Sequence, residues 1–259
     1  VNTHILRLSD DFWNIRGSFK LGGLIDIGTH ASLVRLTSGK FVLLDACDLP
    51  EPVMGELKAR TRNGADLEAI IHVHPFHTMH VQKAHEAFPE ARLYGTRRHH
   101  ERFPQFDWQP ELTESEAFAS LYAEDFDFSV PEGVDFISSN ENLHFASVLV
   151  YHRASRSIHV DDTLMVMPMP GPLSRVLPTR VSFHMTLAGT LEKRAGASED
   201  FRAWARTLAD RWQDAKHLCA AHSGCLMIEP DAPESIRDHI LKALKKTEIT
   251  LKIHKARYG

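Results

Sequence analysis

The stretch Ile70-Ile71-His72-Val73-His74-Pro75-Phe76-His77-Thr78-Met79-His80 places four histidines within nine residues, directly after an apolar run. Side chains two apart on a strand share a face. A buried strand over 69–73 therefore projects His72 and His74 together from its C-terminal end. Pro75 ends that strand, and His77 falls where a following helix, expected over 78–88, begins. Such a cluster can set three imidazoles around one or two metal ions at Zn–N distances of ~2.0–2.1 Å. The plainer reading is that some of these rings only hydrogen-bond within a crowded turn. It suits any lone histidine better than it suits His-x-His with a third histidine at +3. His80, one helical turn past His77, reads as a supporting or surface residue.

The rest of the chain frames this cluster. The 259 residues are 43% hydrophobic and 25% charged, an ordinary soluble composition that needs no disulfide staples. A net charge of −4 lacks the basic excess of a nucleic-acid binder. No apolar run approaches the ~20 residues that cross a bilayer, and the first residues lack a signal-peptide layout. Cys47, Cys219 and Cys225 cannot all pair and show no Cys-x-x-Cys spacing, which fits reduced thiols in a cytoplasmic protein. Histidine is the outlying count, with 17, and it is the commonest metal ligand.

Pattern and punctuation predict short strands over 24–27, 31–36 and 41–45, with a Gly39 turn between the last two. A helix from Pro52 to about Asn63 stops before Gly64. A strand over 92–94 follows, then loop and short helix over 97–108, and a helix over 115–122. Strands are expected again over 134–137, 146–152 and 157–160, then a Pro- and Met-rich loop over 165–178. A helix over 199–212, a strand over 216–220 and a helix over 232–246 complete the chain. Early hairpins, then strand–helix units, then hairpins again predict two sheets with helices packed outside, in a single domain over 1–259.

Further donors stand at expected strand ends: His144 after Asn140-Glu141-Asn142-Leu143, Asp162 in His159-Val160-Asp161-Asp162, and His222 in Cys219-Ala220-Ala221-His222-Ser223-Gly224. Each alone is weak, since Asp-Asp commonly caps a turn and a histidine before Ser-Gly is commonly a loop residue. Their order is informative. It resembles the metallo-β-lactamase fold superfamily, whose pattern is His-x-His-x-Asp-His, then a lone His, an Asp after a strand, and a last His. His72, His74, His77, His144, Asp162 and His222 match it in turn, and Asp45 matches the Asp that ends an early hairpin strand. The likeness covers about residues 22–226. It implies an α/β fold, an αβ/βα four-layer sandwich of two facing mixed β-sheets with helices on the outer faces.

The resemblance also implies a site. His72, His74 and His144, with Asp162 as bridge, would form the first metal site, and His77, His222 and Asp162 the second. The motif's Asp is Phe76 here. An apolar ring supplies neither ligand nor charge, so one well-held metal and a weak or missing second are expected. Zinc is the expected ion, with iron or manganese also suited to imidazole and carboxylate. The implied activity is a metal-dependent hydrolase that uses a metal-activated water on an ester, lactone, thioester or phosphoester-type small-molecule substrate. Asp162 would hold the water, and His222 would ligate or donate a proton. No nucleic-acid or membrane partner is expected, and the sequence leaves the oligomeric state open. The alternative is a catalytically retired binding or scaffold protein on the same fold.

Competing motifs are poorer. Thr37-Ser38-Gly39-Lys40 lacks the first glycine and the helix of a phosphate loop. Gly22-Gly23 with Gly28 is no dinucleotide fingerprint, and Ser223 is not in a nucleophile elbow. Methionines 165–169 read as packing before pocket, and His99-His100 among Arg97, Arg98 and Arg102 as a solvated basic loop. An amidohydrolase-type barrel also opens on His-x-His, but it needs eight strand–helix units, against the hairpins seen here.

Overall fold

The computed structural model describes residues 4–21, 25–167, 179–222 and 224–259. The chain divides into two compact units, Val1–Asp127 with His152–Ser155, and Phe128–Tyr151 with Arg156–Gly259.

The first unit carries β1 (Ile5–Arg7), β2 (Phe12–Gly17), β3 (Lys20–Leu21), β4 (Ile25–Asp26), β5 (Thr29–Arg35), β6 (Phe41–Leu44), α1 (Glu51–Arg60), β7 (Leu67–Ile71), α2 (Val81–Ala87), β8 (Arg92–Tyr94), α3 (Arg97–Arg102) and α4 (Glu116–Leu121). Among the described residues its main sheet has the order β1-β2-β5-β6-β7-β8. The pairs from β1 to β6 are antiparallel. The pairs β6–β7 and β7–β8 are parallel, and each is joined through a helix, as a parallel pair requires. In the β5–β6 hairpin Leu33 faces Leu43 and Val34 faces Val42. Gly39 turns between them at φ +83°, a conformation other residues avoid. Trp13, Ile15, Leu33, Leu43, Ile70 and Leu93 of the sheet share one core with Val53 and Leu57 of α1 and with Phe88. Each such side chain contributes about 1.5–3 kcal/mol on burial. This core fixes β7, and so fixes where the histidine stretch leaves the sheet.

After β9 (Phe126–Ser129), the second unit carries β10 (Leu149–His152), β11 (Ser157–Val160), β12 (Leu164–Met167), β13 (Arg180–Phe183), α5 (Leu187–Thr190), α6 (Ala197–Arg211), β14 (His217–Ala220), β15 (Gly224–Met227) and α7 (Ile236–Tyr258). Its sheet has the order β15-β14-β11-β10-β9. The pair β11–β14 is parallel and β14–β15 antiparallel. Strands β12 and β13 form a separate antiparallel ribbon. Phe145, Leu149, Leu218 and Val166 share a core with Phe201 and Trp204 of α6 and with Ile240 and Leu251 of α7. The apolar stripe of α6, Phe201, Trp204, Ala205 and Leu208, has helical spacing and is wholly buried.

Several boundaries differ from the sequence expectation. The strand expected over 69–73 stops at Ile71, because Asp45 Oδ1 accepts the Val73 N–H at 3.0 Å. The helix expected from Thr78 begins at Val81, because His77 and Thr78 donate back to His74 and Phe76 carbonyls in tight turns. The strand expected over 146–152 begins at Leu149, since the Ser147 N–H is taken by Thr163 Oγ1 at 3.0 Å. No strand forms over 134–137; Val134 makes a lone bridge to Leu191. The loop expected over 165–178 opens inside β12, whose Met165 and Val166 pair with β13; residues 168–178 lie outside the described residues, as do Gly22, Gly23, Leu24 and Ser223. The last helix starts at Ile236, capped by Ser235 and Asp238 in a reciprocal box, and runs to Tyr258. Strands β1, β2, β3, β9, β12, β13 and β15 have no counterpart in the sequence pattern.

Candidate functional site

In the first unit the histidine stretch leaves β7 under the control of Asp45. That residue sits at φ +55° just past β6, donates its N–H to the Ile71 carbonyl at 2.8 Å, and accepts from Val73. Aspartate tolerates this left-handed conformation better than most side chains. The strand-end Asp read from sequence is thus a clasp on the loop that carries the histidines.

His72 and His74 are both fully buried, but their rings have different neighbours. His72 stacks on His99 at 5.0 Å between ring centres, with Trp108 edge-on at 5.9 Å. His74 stacks on His77 at 4.1 Å and 17°. The strand stops before either residue, so the shared-face rule no longer sets their directions. Burial pushes the His72 pKa down to about 4, opposed by the Asp45 charge. Burial also holds His99 well below its ordinary value, with His72 adding to the effect. His72 is therefore neutral at physiological pH, the form that ligates a metal. Neither of its ring nitrogens has a hydrogen-bond partner among the described residues. A buried orphan of this kind costs about 1–3 kcal/mol.

His74 Nδ1 accepts the Phe76 N–H at 3.0 Å. In the neutral ring this places the proton on Nε2. Phe76, which stands where the resemblance expects a carboxylate, has the Arg98 guanidinium over its ring at 4.6 Å. The position is occupied by a cation–π pair, worth about 0.5–2 kcal/mol. The basic loop around Arg98 is not simply solvated: His99 is fully buried, and His100 stacks on Trp108 at 5.2 Å. Gly95 makes room for this packing. A Cβ there would lie 2.7 Å from His99 Cβ and 2.9 Å from Trp108 Cζ3.

In the second unit Asp161 and Asp162 follow β11 and are almost wholly buried. His222 follows β14, and its Nε2 lies 3.1 Å from Asp162 Oδ1. The parallel β11–β14 pairing, Val160 opposite Ala220, brings these two together. His144 precedes β10; its Nε2 meets the Glu141 carbonyl at 2.6 Å, and its own carbonyl accepts from Thr186 Oγ1 at 2.6 Å.

Among the described residues, the donors that belong to groups able to serve a metal ion are His30, His74, His77, His159, Asp161 and Asp162. His74, His77 and Asp162 were expected from the sequence. His72, His144 and His222 were expected too and are not in this set. His30 was missed: it is fully buried in β5, with Nδ1 3.0 Å from Asn14 Nδ2. The signal was the polar alternation of Asn14 and Ser32 around it on paired strands. His159 and Asp161 were noted only as neighbours of Asp162.

Solved metallo-β-lactamase structures are similar to this chain. One from Erythrobacter litoralis, with β-mercaptoethanol in its active site, matches at TM-score 0.60 and 14% identity, over 95% of this chain and 96% of that one. TMB-1 matches at TM-score 0.59 and 12% identity, over 96% of each chain. DIM-1 metallo-β-lactamase exposed to ceftazidime matches at TM-score 0.57 and 12% identity, again over 96% of each. No protein-family profile and no curated protein sequence matches the chain. The chain shares the fold of these metallo-β-lactamases, with two mixed β-sheets and helices. The chain carries His and Asp groups that can hold a metal.

Proposed function

We propose that this chain is a metal-dependent hydrolase acting on an ester, lactone, thioester or phosphoester-type small-molecule substrate. The observation that carries the reading is the donor chemistry at the strand ends: His74 stacked on His77 past β7, and Asp162 facing His222 past β11 and β14. The residues fit a zinc-class ion, with iron or manganese equally suited to imidazole and carboxylate. The orphaned nitrogens of buried, neutral His72 add to that fit. In this proposal His72, His74 and His144, with Asp162, hold the first metal, and His77, His222 and Asp162 a weaker second, within the single domain that the sequence implies. The bound ion would supply Lewis acidity and an activated water. Asp162 would hold that water through its carboxylate, and His222, whose Nε2 lies 3.1 Å from Asp162 Oδ1, would either ligate at the second site or donate a proton to the leaving group. Phe76 contributes no acceptor to that proton chemistry.

Protein purified without chelator should hold close to one equivalent of metal. Less than about half an equivalent, with no gain on adding Zn²⁺, counts against the reading. Turnover across the four substrate classes should be lost in His74→Ala.

A second reading is favoured by the Arg98–Phe76 contact. A cation over the ring at that position suits a retired active site serving as a binding or scaffold protein. Full metal occupancy with no turnover on any of the four classes would support it.

No helix among the described residues is long and apolar enough to cross a membrane. A cytoplasmic site of action, and the absence of nucleic-acid and membrane partners, belong to the proposal.

A further inference from the structure

Strands β14 and β15 place Cys219 directly opposite Cys225, one pair in from Ala220 opposite Gly224. The two sulfurs lie 3.1 Å apart and are not bonded. Opposed residues of an antiparallel pair have Cα separations of about 4.5–5.5 Å, inside the ~4.4–6.8 Å that a disulfide spans. Closing the gap to the ~2.05 Å of a bond asks for side-chain rotation, not backbone movement. Cys219 is fully buried, while Cys225 is partly exposed. The third thiol, Cys47, is buried and pushed up to about 12 by desolvation, which suppresses its thiolate.

We propose that Cys219 and Cys225 form an oxidation site, a dithiol that a peroxide converts to a cross-strand disulfide. The Cys225 thiolate attacks one peroxide oxygen. An S–O bond forms, the O–O bond breaks, and the departing hydroxide takes up a proton as water. Cys219 then attacks the resulting sulfenic sulfur. The S–S bond forms, the S–O bond breaks, and the second hydroxide leaves as water with the Cys219 proton. Two electrons pass from sulfur to oxygen, and one peroxide yields two waters. Exposure makes Cys225 the first nucleophile, and burial makes Cys219 the resolving one. The partial exposure of Cys225 also leaves the bridge open to reduction by a dithiol.

The site matters for the hairpin that holds it. Among the described residues β15 is the edge strand of its sheet, paired with β14. A bridge at Cys219–Cys225 would tie that edge down beside the turn carrying His222.

The test uses the full chain, fully reduced, treated with stoichiometric hydrogen peroxide, quenched with an alkylating agent and mapped by mass spectrometry without reduction. The expected product is one peptide pair joined through Cys219 and Cys225, reversed by dithiothreitol, with Cys47 recovered as the alkylated thiol. Cys47→Ser should leave the yield unchanged. Cys219→Ser should stop at a Cys225 sulfenic acid that dimedone traps. Amides of Ala220 and Gly224 should exchange more slowly in the oxidised protein. Recovery of all three thiols alkylated overturns the proposal, as does oxidation of Cys225 to sulfinic acid without a bridge. None of these readouts depends on hydrolysis or on bound metal, so they stand or fall apart from the reading of the active site.

Discussion

His152 is fully buried, with its ring near Phe12 and Phe126 and its Nδ1 2.8 Å from Ser155 Oγ. Burial lowers its pKa to about 4. An unfolded histidine titrates near ~6.5. Above that value neither state carries the proton, and the ring costs nothing. Between about 6.5 and 4 the unfolded chain takes up a proton that the folded chain refuses. Stability therefore falls as the pH drops through that window, by on the order of 3 kcal/mol at its lower end. Urea midpoints at pH 7.5 and 4.5 should differ less in His152→Gln than in the wild type; equal differences would show that His152 is not the titrating group. A second residue-scale outcome concerns Phe76. Phe76→Asp restores the missing carboxylate but places it under Arg98, whose guanidinium already lies against that position. The single variant should gain no second zinc equivalent by calorimetric titration, because Arg98 captures the new charge. Phe76→Asp with Arg98→Met should gain one.

At the scale of elements, the segment after β8 is closed by contacts with no spare volume. Gly95→Ala puts a methyl within 3 Å of His99 Cβ and Trp108 Cζ3. The cost should be about 1–3 kcal/mol, the usual range for overpacking, read as a lower urea midpoint. It should also loosen the His99–His72 stack, visible as a change in the His72 ring resonances. Capping gives a milder counterpart: Ser235→Ala removes the acceptor for Asp238 N–H at the start of α7 and should cost about 1 kcal/mol.

At the scale of the whole molecule, a ligand that binds only the folded state raises its stability by mass action, about 2.7 kcal/mol at a hundred times Kd. Zinc added to chelator-treated protein should raise the thermal midpoint, and excess chelator should reverse the gain. An unmoved midpoint would remove the support for a metal site. The same scale shows what the residues made legible. Helix α6 could be read because one face is apolar at helical spacing, and β11 because Ile158 and Val160 alternate with polar residues before a charged pair. The order of donors along the chain points to this fold without any geometry. β2 escaped because Asn14 interrupts the apolar run from Phe12 to Ile15, its amide nitrogen meeting Ser32 Oγ and His30 Nδ1 on the paired strand. His30 escaped for the same reason: its significance lies in a neighbour on another strand. The end of β7 was misplaced because Asp45, far away in sequence, takes the hydrogen bond that would have extended it.

The amide of Phe76 leans on the lone pair of His74 Nδ1. A cation that takes that nitrogen leaves the amide without its acceptor. A cation that takes the other nitrogen forces the ring proton across, turning acceptor into donor and repelling the same amide. Either route releases this N–H, so its deuterium uptake becomes a built-in gauge of whether His74 is ligated, readable without any substrate.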